Sequence, residues 1–315
     1  LSSDFYWRDN YDLMGYVNTP GAGGETRKFA NVASMRSHGL EATISSQNIR
    51  TKDFDWSTDL TYSYTKTKIK DVLSQANVIG LVYNSGSNIR KGYPHRSIFS
   101  IPFVGLNDEG IPQVINEKGE VTTTDINFQE YQNLGFLKYE GPTEPTMNGG
   151  LNNTLRYKNW RLNIFVTYSF GNKIRLDPTF SSSYSDMSAM PKEFKNRWVM
   201  PGDEKITSIP AIASVRQYYN DTQLSFAYNS YNYSTERIAD GGFIRLKDVS
   251  LTYDVPRSFL SKIGLSTAAI KLDATNLCLL YADDKLNGQD PEFVNSGGVA
   301  TPLSKQFTLT VRLGL

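Results

Sequence analysis

Apolar and polar side chains alternate without a slip from Gln306 to Leu315, the end of the sequence. Phe307, Leu309, Val311, Leu313 and Leu315 fall on one face of an extended chain, and Gln306, Thr308, Thr310, Arg312 and Gly314 on the other. Successive strand residues point to opposite sides. The pattern suits a barrel strand between lipid and water, and equally a sandwich strand whose apolar face is turned inward.

Upstream segments carry the same period. Trp160 to Gly171 sets Trp160, Leu162, Ile164, Val166, Tyr168 and Phe170 against Arg161, Asn163, Phe165, Thr167, Ser169 and Gly171. Trp56 to Thr67 sets Trp56, Thr58, Leu60, Tyr62 and Tyr64 against Ser57, Asp59, Thr61, Ser63 and Thr65. Both place aromatics at the two ends of the apolar face, as girdles at two membrane interfaces require. Weaker alternation marks Phe5 to Val17, Gly39 to Asn48, Thr146 to Tyr157, Phe243 to Asp254 and Ala268 to Leu279. A segment of about ten residues, at about 3.3 Å each and a tilt near 40°, covers an apolar band of about 25 Å.

The connections are of two kinds. Short links join Asn48 to Phe54, Tyr157 to Trp160 and Asp254 to Ala268, whereas long ones run from Val17 to Gly39, Ile69 to Thr146, Gly171 to Phe243 and Leu279 to Gln306. Short and long alternate strictly, as periplasmic turns and extracellular loops do in an outer-membrane barrel, and this leaves Leu315 on the periplasmic side. Loops this long are anomalous in a compact soluble domain. The polar faces read as Ser, Thr, Asp, Asn and Gly, too small to fill a closed eight-stranded barrel. The expectation is an all-β chain, an antiparallel transmembrane β-barrel arc of about eight strands within a wider barrel.

Composition narrows the classes. The 315 residues are 39% hydrophobic and 12% aromatic, with 19 Tyr, and no run approaches the roughly 20 apolar residues of a membrane helix. A net charge of +1 gives no electrostatic case for nucleic acid. The single cysteine, Cys278, excludes an internal disulfide and fits an oxidising compartment or the cytosol. No signal peptide opens at Leu1, so the chain reads as cytosolic or as a fragment whose N-terminal part lies upstream; the open arc favours the fragment. His38, His95 and Cys278 cannot build a His/Cys metal cluster, and no GxSxG, HExxH or P-loop spacing occurs. No enzyme, metal or cofactor is expected.

Eight strings, in order, resemble the C-terminal half of the SusC/RagA family of TonB-dependent outer-membrane transporters. They are SMRSHGLEATIS (Ser34 to Ser45), FDWSTDLTYSYTKTKI (Phe54 to Ile69), IRKGYP (Ile89 to Pro94), YEGPTEPTMNGGLNNTLRYKNW (Tyr139 to Trp160), NRWVMPGDEKITSIP (Asn196 to Pro210), GGFIRLKDVSLTYDVP (Gly241 to Pro256), TNLCLLY (Thr275 to Tyr281) and GQDPE (Gly288 to Glu292). The resemblance implies a 22-strand barrel of which residues 1–315 are roughly the last third, without the plug, TonB box and N-terminal strands. It also implies a SusD-like surface lipoprotein as lid, energisation through TonB, and contact with outer-membrane lipid. Ending in Leu315 departs from the usual terminal aromatic.

Candidate binding residues follow from composition. Trp198 lies in the RWVMPGDEKITSIP string, where Pro201-Gly202-Asp203 reads as a tight turn and Pro191 to Trp198 as one or two helical turns with Pro191 at the first position. Arg216 to Arg237, rich in Tyr, Asn and Ser, reads as a loop, either substrate-binding or packed on the barrel rim. Trp198, Tyr231, Tyr233 and Tyr281 are the candidate substrate contacts; Glu41, Asp59, Arg156, Arg161, Asp273 and Arg312 form a lumen-facing polar wall. Asp283 to Glu292 lacks EF-hand ligands, since Lys285 stands third and Val294 twelfth. The expected function is active import of oligopeptides or oligosaccharides, leaning to peptides because Ile89 to Pro112 resembles the RagA-like branch. A TonB-dependent siderophore or vitamin receptor and a soluble glycan-binding β-domain are the alternatives.

Overall fold

The computed structural model describes residues 1–19, 21–24, 26–73, 76–83, 89–184, 187, 189–260, 264–294 and 303–314. The strands in chain order are β1 (Ser2–Asn18), β2 (Arg27–Arg50), β3 (Phe54–Val72), β4 (Ser97–Ser100), β5 (Phe103–Leu106), β6 (Pro112–Ile115), β7 (Val121–Thr122), β8 (Lys138–Pro142), β9 (Met147–Tyr157), β10 (Trp160–Phe170), β11 (Lys173–Arg175), β12 (Ile238–Asp240), β13 (Phe243–Asp254), β14 (Thr267–Tyr281) and β15 (Gln306–Gly314). Four short helices, α1 (Val78–Tyr83), α2 (Val215–Asn220), α3 (Leu224–Asn232) and α4 (Arg257–Leu260), lie between them. No described helix is long and apolar enough to cross a membrane.

One open antiparallel sheet organises the molecule, with eight strands in the order β1-β2-β3-β9-β10-β13-β14-β15. Each segment of period-two alternation in the sequence is one of these strands. The register aligns their apolar positions into a continuous face. Phe54 pairs with Tyr157, Tyr157 with Trp160, and Trp160 with Tyr253, a row of four aromatics across β3, β9, β10 and β13. Eight residues further along, about 20 Å at a 40° tilt, Tyr62, Gly149, Tyr168, Ile244 and Tyr281 form a second row. On β15 the apolar residues are open to the surroundings: Phe307 75%, Leu309 64%, Val311 57% and Leu313 66% exposed. Leu315 lies outside the described residues.

Gly149 shows how tightly this face is built. A Cβ there would lie 2.2 Å from the Thr61 carbonyl oxygen and 2.3 Å from the Tyr168 hydroxyl. The missing side chain lets the Tyr168 ring cross β9, and its hydroxyl donates to the Thr61 carbonyl at 3.0 Å. An aromatic laid over a strand glycine restores the packing that glycine lacks.

Two expectations are corrected. The link after Val17 is a hairpin rather than a long loop: β1 runs to Asn18 and β2 begins at Arg27, so β2 is 24 residues long. That is about 80 Å of extended chain, far more than a bilayer needs. Beyond the apolar band β2 no longer separates an apolar face from a polar one, so the amphipathic period fades although pairing continues. Val32, against Gly15, and Ile69 are buried there, and the Ile69 backbone bonds along the β3 edge to the Gly92 N–H and the Tyr93 carbonyl. The stretch from Arg216 to Arg237 is also not a loop; it is α2, α3 and a 3-10 turn.

Candidate functional site

Both faces of the sheet and the three longest connections are candidates, and they carry different chemistry. On the polar face, Glu41 stands opposite Asp4 and Ser63, and Asp59 opposite Ser45 and Asn152. Arg156 stands between Asp55 and Arg161, Asp273 between Ser250 and Thr308, and Arg312 opposite Ala269. The period-two register puts all six on the side away from Phe307, Leu309, Val311 and Leu313. Arg161 reaches Asp254 at 3.6 Å, and Lys271 reaches Asp273 at 3.2 Å. Arg161, Asp254 and Lys271 line a recess of about 290 Å³ with Thr252, Thr310 and Arg312 near the short-turn end of the strands.

At the other end, the connections from β3 to β9 and from β10 to β13 interlock. Ile101 N–H donates to the Tyr233 carbonyl at 3.0 Å, and Thr235 N–H donates to the Ile101 carbonyl at 3.0 Å. β11 pairs with β12, and Leu176 N–H donates to the Arg237 carbonyl. Apolar clusters fill the seams, one around Phe99, Ile101 and Val114 and another around Phe180, Tyr228 and Tyr231. Arg175 is enclosed in this assembly, donating to the Phe99 carbonyl at 2.6 Å and the Ser100 hydroxyl at 3.2 Å. Burial pulls its pKa down to about 10 against the opposing pull of Glu140.

The connection after β14 is tied to both. Asp283 accepts from the Asp240 and Lys285 N–H groups, and Leu286 is buried with Ile174, Leu176 and Ala239. Asp290, fully buried, meets Arg245 on β13 at 2.6 and 2.7 Å, and Glu292 meets the same guanidinium at 3.2 Å. The carboxylates of Asp283 and Asp290 therefore face backbone and arginine donors, and they hold the GQDPE segment against the wall.

The four candidate substrate contacts do not converge. Tyr231 is fully buried against Phe103 and Phe180, and Tyr233 is buried in the neighbouring cluster; burial raises the pKa of both. Neither offers surface to a ligand. Tyr281 lies on the apolar face, half-exposed, 6.1 Å from Phe170. Trp198 packs on Gly110, whose Cβ would come within 2.5 Å of the indole, and its Nε1 donates to Glu204 at 3.2 Å. It joins the two long connections. Met200 to Asp203 is a tight turn, closed by Asp203 N–H on the Met200 carbonyl with Gly202 at φ +106°. Lys192–Asn196 is a 3-10 helix with Pro191 as its N-cap rather than its first helical residue.

The exposed aromatics are others. Tyr218 and Tyr219 project from α2, their rings 5.7 Å apart, and Val215 beside them is open to solvent. A sequence signal for α2 exists: Ser214 and Gln217 form a capping box, in which Ser214 accepts from Gln217 N–H and Gln217 accepts from Ser214 N–H.

No family model matches the chain. Curated relatives do. It is 26% identical over 324 residues to TonB-dependent receptor P3 of Formosa agariphila, covering 93% of the chain and 28% of the relative. It is 27% identical over 310 residues to TonB-dependent receptor P26 of the same organism, covering 93% and 29%. The fold matches the RagAB peptide importer in its open-open state with a TM-score of 0.75 at 22% identity, covering 99% of this chain and 32% of the other. The chain resembles TonB-dependent receptors along nearly its whole length, and it has the fold of part of the RagAB importer's barrel. In the closed-closed state of that importer the TM-score is 0.72 at 23% identity. The chain spans about a third or less of the length of these relatives, and its open sheet is an arc of their barrel architecture.

Proposed function

We propose that the full-length protein is an outer-membrane active transporter importing oligopeptides, with a SusD-like surface lipoprotein as its lid and TonB as its energy source. The observation that carries this reading is the register. Eight strands sort a lipid-compatible face, edged by two aromatic rows, from a face of small polar and charged residues, with the large connections gathered at one end. In this reading Glu41, Asp59, Arg156, Arg161, Asp273 and Arg312 line the lumen and contact the plug. The interlocked connections, with Trp198 as a brace and Tyr218 and Tyr219 exposed, form a platform for lid and cargo. Lid closure on captured substrate is a two-state equilibrium biased by ligand. No covalent step is required. The peptide preference rests on the RagAB peptide importer as structural neighbour.

Deleting the full-length gene should abolish growth on oligopeptides as sole nitrogen source and leave growth on free amino acids intact. Restoring the gene should restore growth only in cells with functional TonB, and the purified protein should bring down a surface lipoprotein. Lost growth on an oligosaccharide instead would reassign the cargo, and TonB-independent uptake would refute the mechanism.

A further inference from the structure

Just past the apolar band, β1, β2 and β3 carry a cluster of bases on the same outward face. Phe5 pairs with Leu40, and Leu40 with Tyr64. Two residues further along, Trp7, His38 and Lys66 align; two further still, Asp9, Arg36 and Lys68 align. The two-residue period keeps all of these on one side of the sheet. The other side at this height is packed, because Ser37 and Ile69 are buried. Lys66, Lys68, Arg36 and Trp7 are exposed.

Acidic groups do not balance this cluster. Asp9 is held by Arg36, whose Nε and a terminal nitrogen donate to its two oxygens at 2.8 and 3.2 Å. Asp71, at the top of β3, is engaged by Lys91 at 2.8 Å. Among the described residues no ion pair engages Lys66 or Lys68. Lys70, next on the same edge, stands 6.0 Å from the Tyr11 ring centre.

The phosphates of a membrane lipid lie directly above its acyl chains, at the height where these ammonium groups leave the apolar band. Lysine stems follow hydrocarbon while their charged heads stay in the polar layer. A zwitterionic headgroup would need a free carboxylate for its cationic end, and the two carboxylates beside these lysines, Asp9 and Asp71, are engaged. We propose that Lys66 and Lys68, flanked by Trp7 and His38, bind the phosphate of an anionic outer-leaflet lipid whose acyl chains lie on Phe5, Leu40 and Tyr64. The site rests on the outer-membrane reading of the wall and adds to it a preference for phosphorylated lipid.

The test is native mass spectrometry of the full-length protein in detergent, titrated with a bis-phosphorylated acylated glucosamine disaccharide and with its dephosphorylated form. The phosphorylated probe should remain bound to the wild type, and the dephosphorylated one should not. Lys66→Gln with Lys68→Gln should weaken retention roughly twentyfold, as expected of two bases near an anionic surface. Lys66→Arg with Lys68→Arg should keep it. Equal retention of both probes by the wild type would overturn the proposal whatever the variants do. Insertion into purely zwitterionic vesicles, measured by flotation, tests the membrane wall separately; its failure would remove that reading, whereas insertion with no phosphate preference would remove only this site.

Discussion

Arg245, at the long-connection end of β13, and Asp290, 45 residues later in the last long connection, form an ion pair in which the side chains are 3% and 0% exposed. The pair sits over the Phe243 ring, with the guanidinium 5.4 Å from its centre. A buried charge that loses its partner is costly, about 3–5 kcal/mol, whereas replacing both partners by apolar groups is close to neutral. Asp290→Ala should therefore release the segment from Asp283 to Glu292, seen as faster amide exchange there with exchange in β13 unchanged. Arg245→Met combined with Asp290→Leu should recover most of the protection. Equal protection in wild type and Asp290→Ala would show that Leu286 and Asp283 hold the segment alone.

Tyr168 and Gly149 make a second coupled pair. Tyr168→Phe should cost about 1 kcal/mol by losing the hydrogen bond to the Thr61 carbonyl. Gly149→Ala should cost about 1–3 kcal/mol, because the ring must leave its place on the strand. Since that displacement also breaks the hydrogen bond, the two losses should not add. Urea unfolding of the four proteins of the cycle reads the coupling, and strict additivity would mean that ring and glycine act independently.

The wall was legible because its environment imposes a period. Where one face meets apolar surroundings and the other polar, every second residue is constrained, and Trp160–Phe170 and Gln306–Gly314 show it directly. Where that contrast ends, as between Arg27 and Ser37 on β2, pairing persists without a periodic signal. Binding composition misled for a related reason. Tyr231 and Tyr233 look like ligand contacts in a Tyr- and Asn-rich string, yet the same amphipathic rings fill the seam between two connections that meet only in the folded chain. Ile101 and Ser234 are bridged across more than a hundred residues, and no local pattern announces that.

Glu204 should make the Trp198 brace acid-sensitive. Its carboxylate accepts from its own and the Gly202 backbone N–H and from the indole of Trp198, which hold its pKa below the usual carboxylate range. A carboxylate with a lowered folded-state pKa contributes stability above its unfolded value, and the contribution is lost as pH falls through the folded value. Indole fluorescence of Trp198, isolated by replacing the other tryptophans with Phe, should shift only at pH below the ordinary glutamate range. Glu204→Gln should abolish the pH dependence and leave the emission at neutral pH near the acid form. A transition at or above the ordinary glutamate pKa would contradict the hydrogen-bonded arrangement.

Adjacent positions on β15 separate the membrane reading from a soluble one. Leu309 pairs with Leu272 on the apolar face, and Thr308 pairs with Asp273 on the polar face. Lysine at a lipid-facing site near the midplane costs about 2–4 kcal/mol, whereas lysine opposite a carboxylate on the wet side is neutral or mildly favourable. In the full-length protein folded into vesicles, Leu309→Lys should lower the unfolding free energy by about that amount, and Thr308→Lys should leave it nearly unchanged. The two residues are neighbours in one strand, so backbone propensity and distance from the chain end are matched, and the difference isolates what each face meets. If Leu309→Lys were the better tolerated, the apolar side of this sheet would not face hydrocarbon, and the aromatic rows at Trp160 and Tyr168 would need another partner.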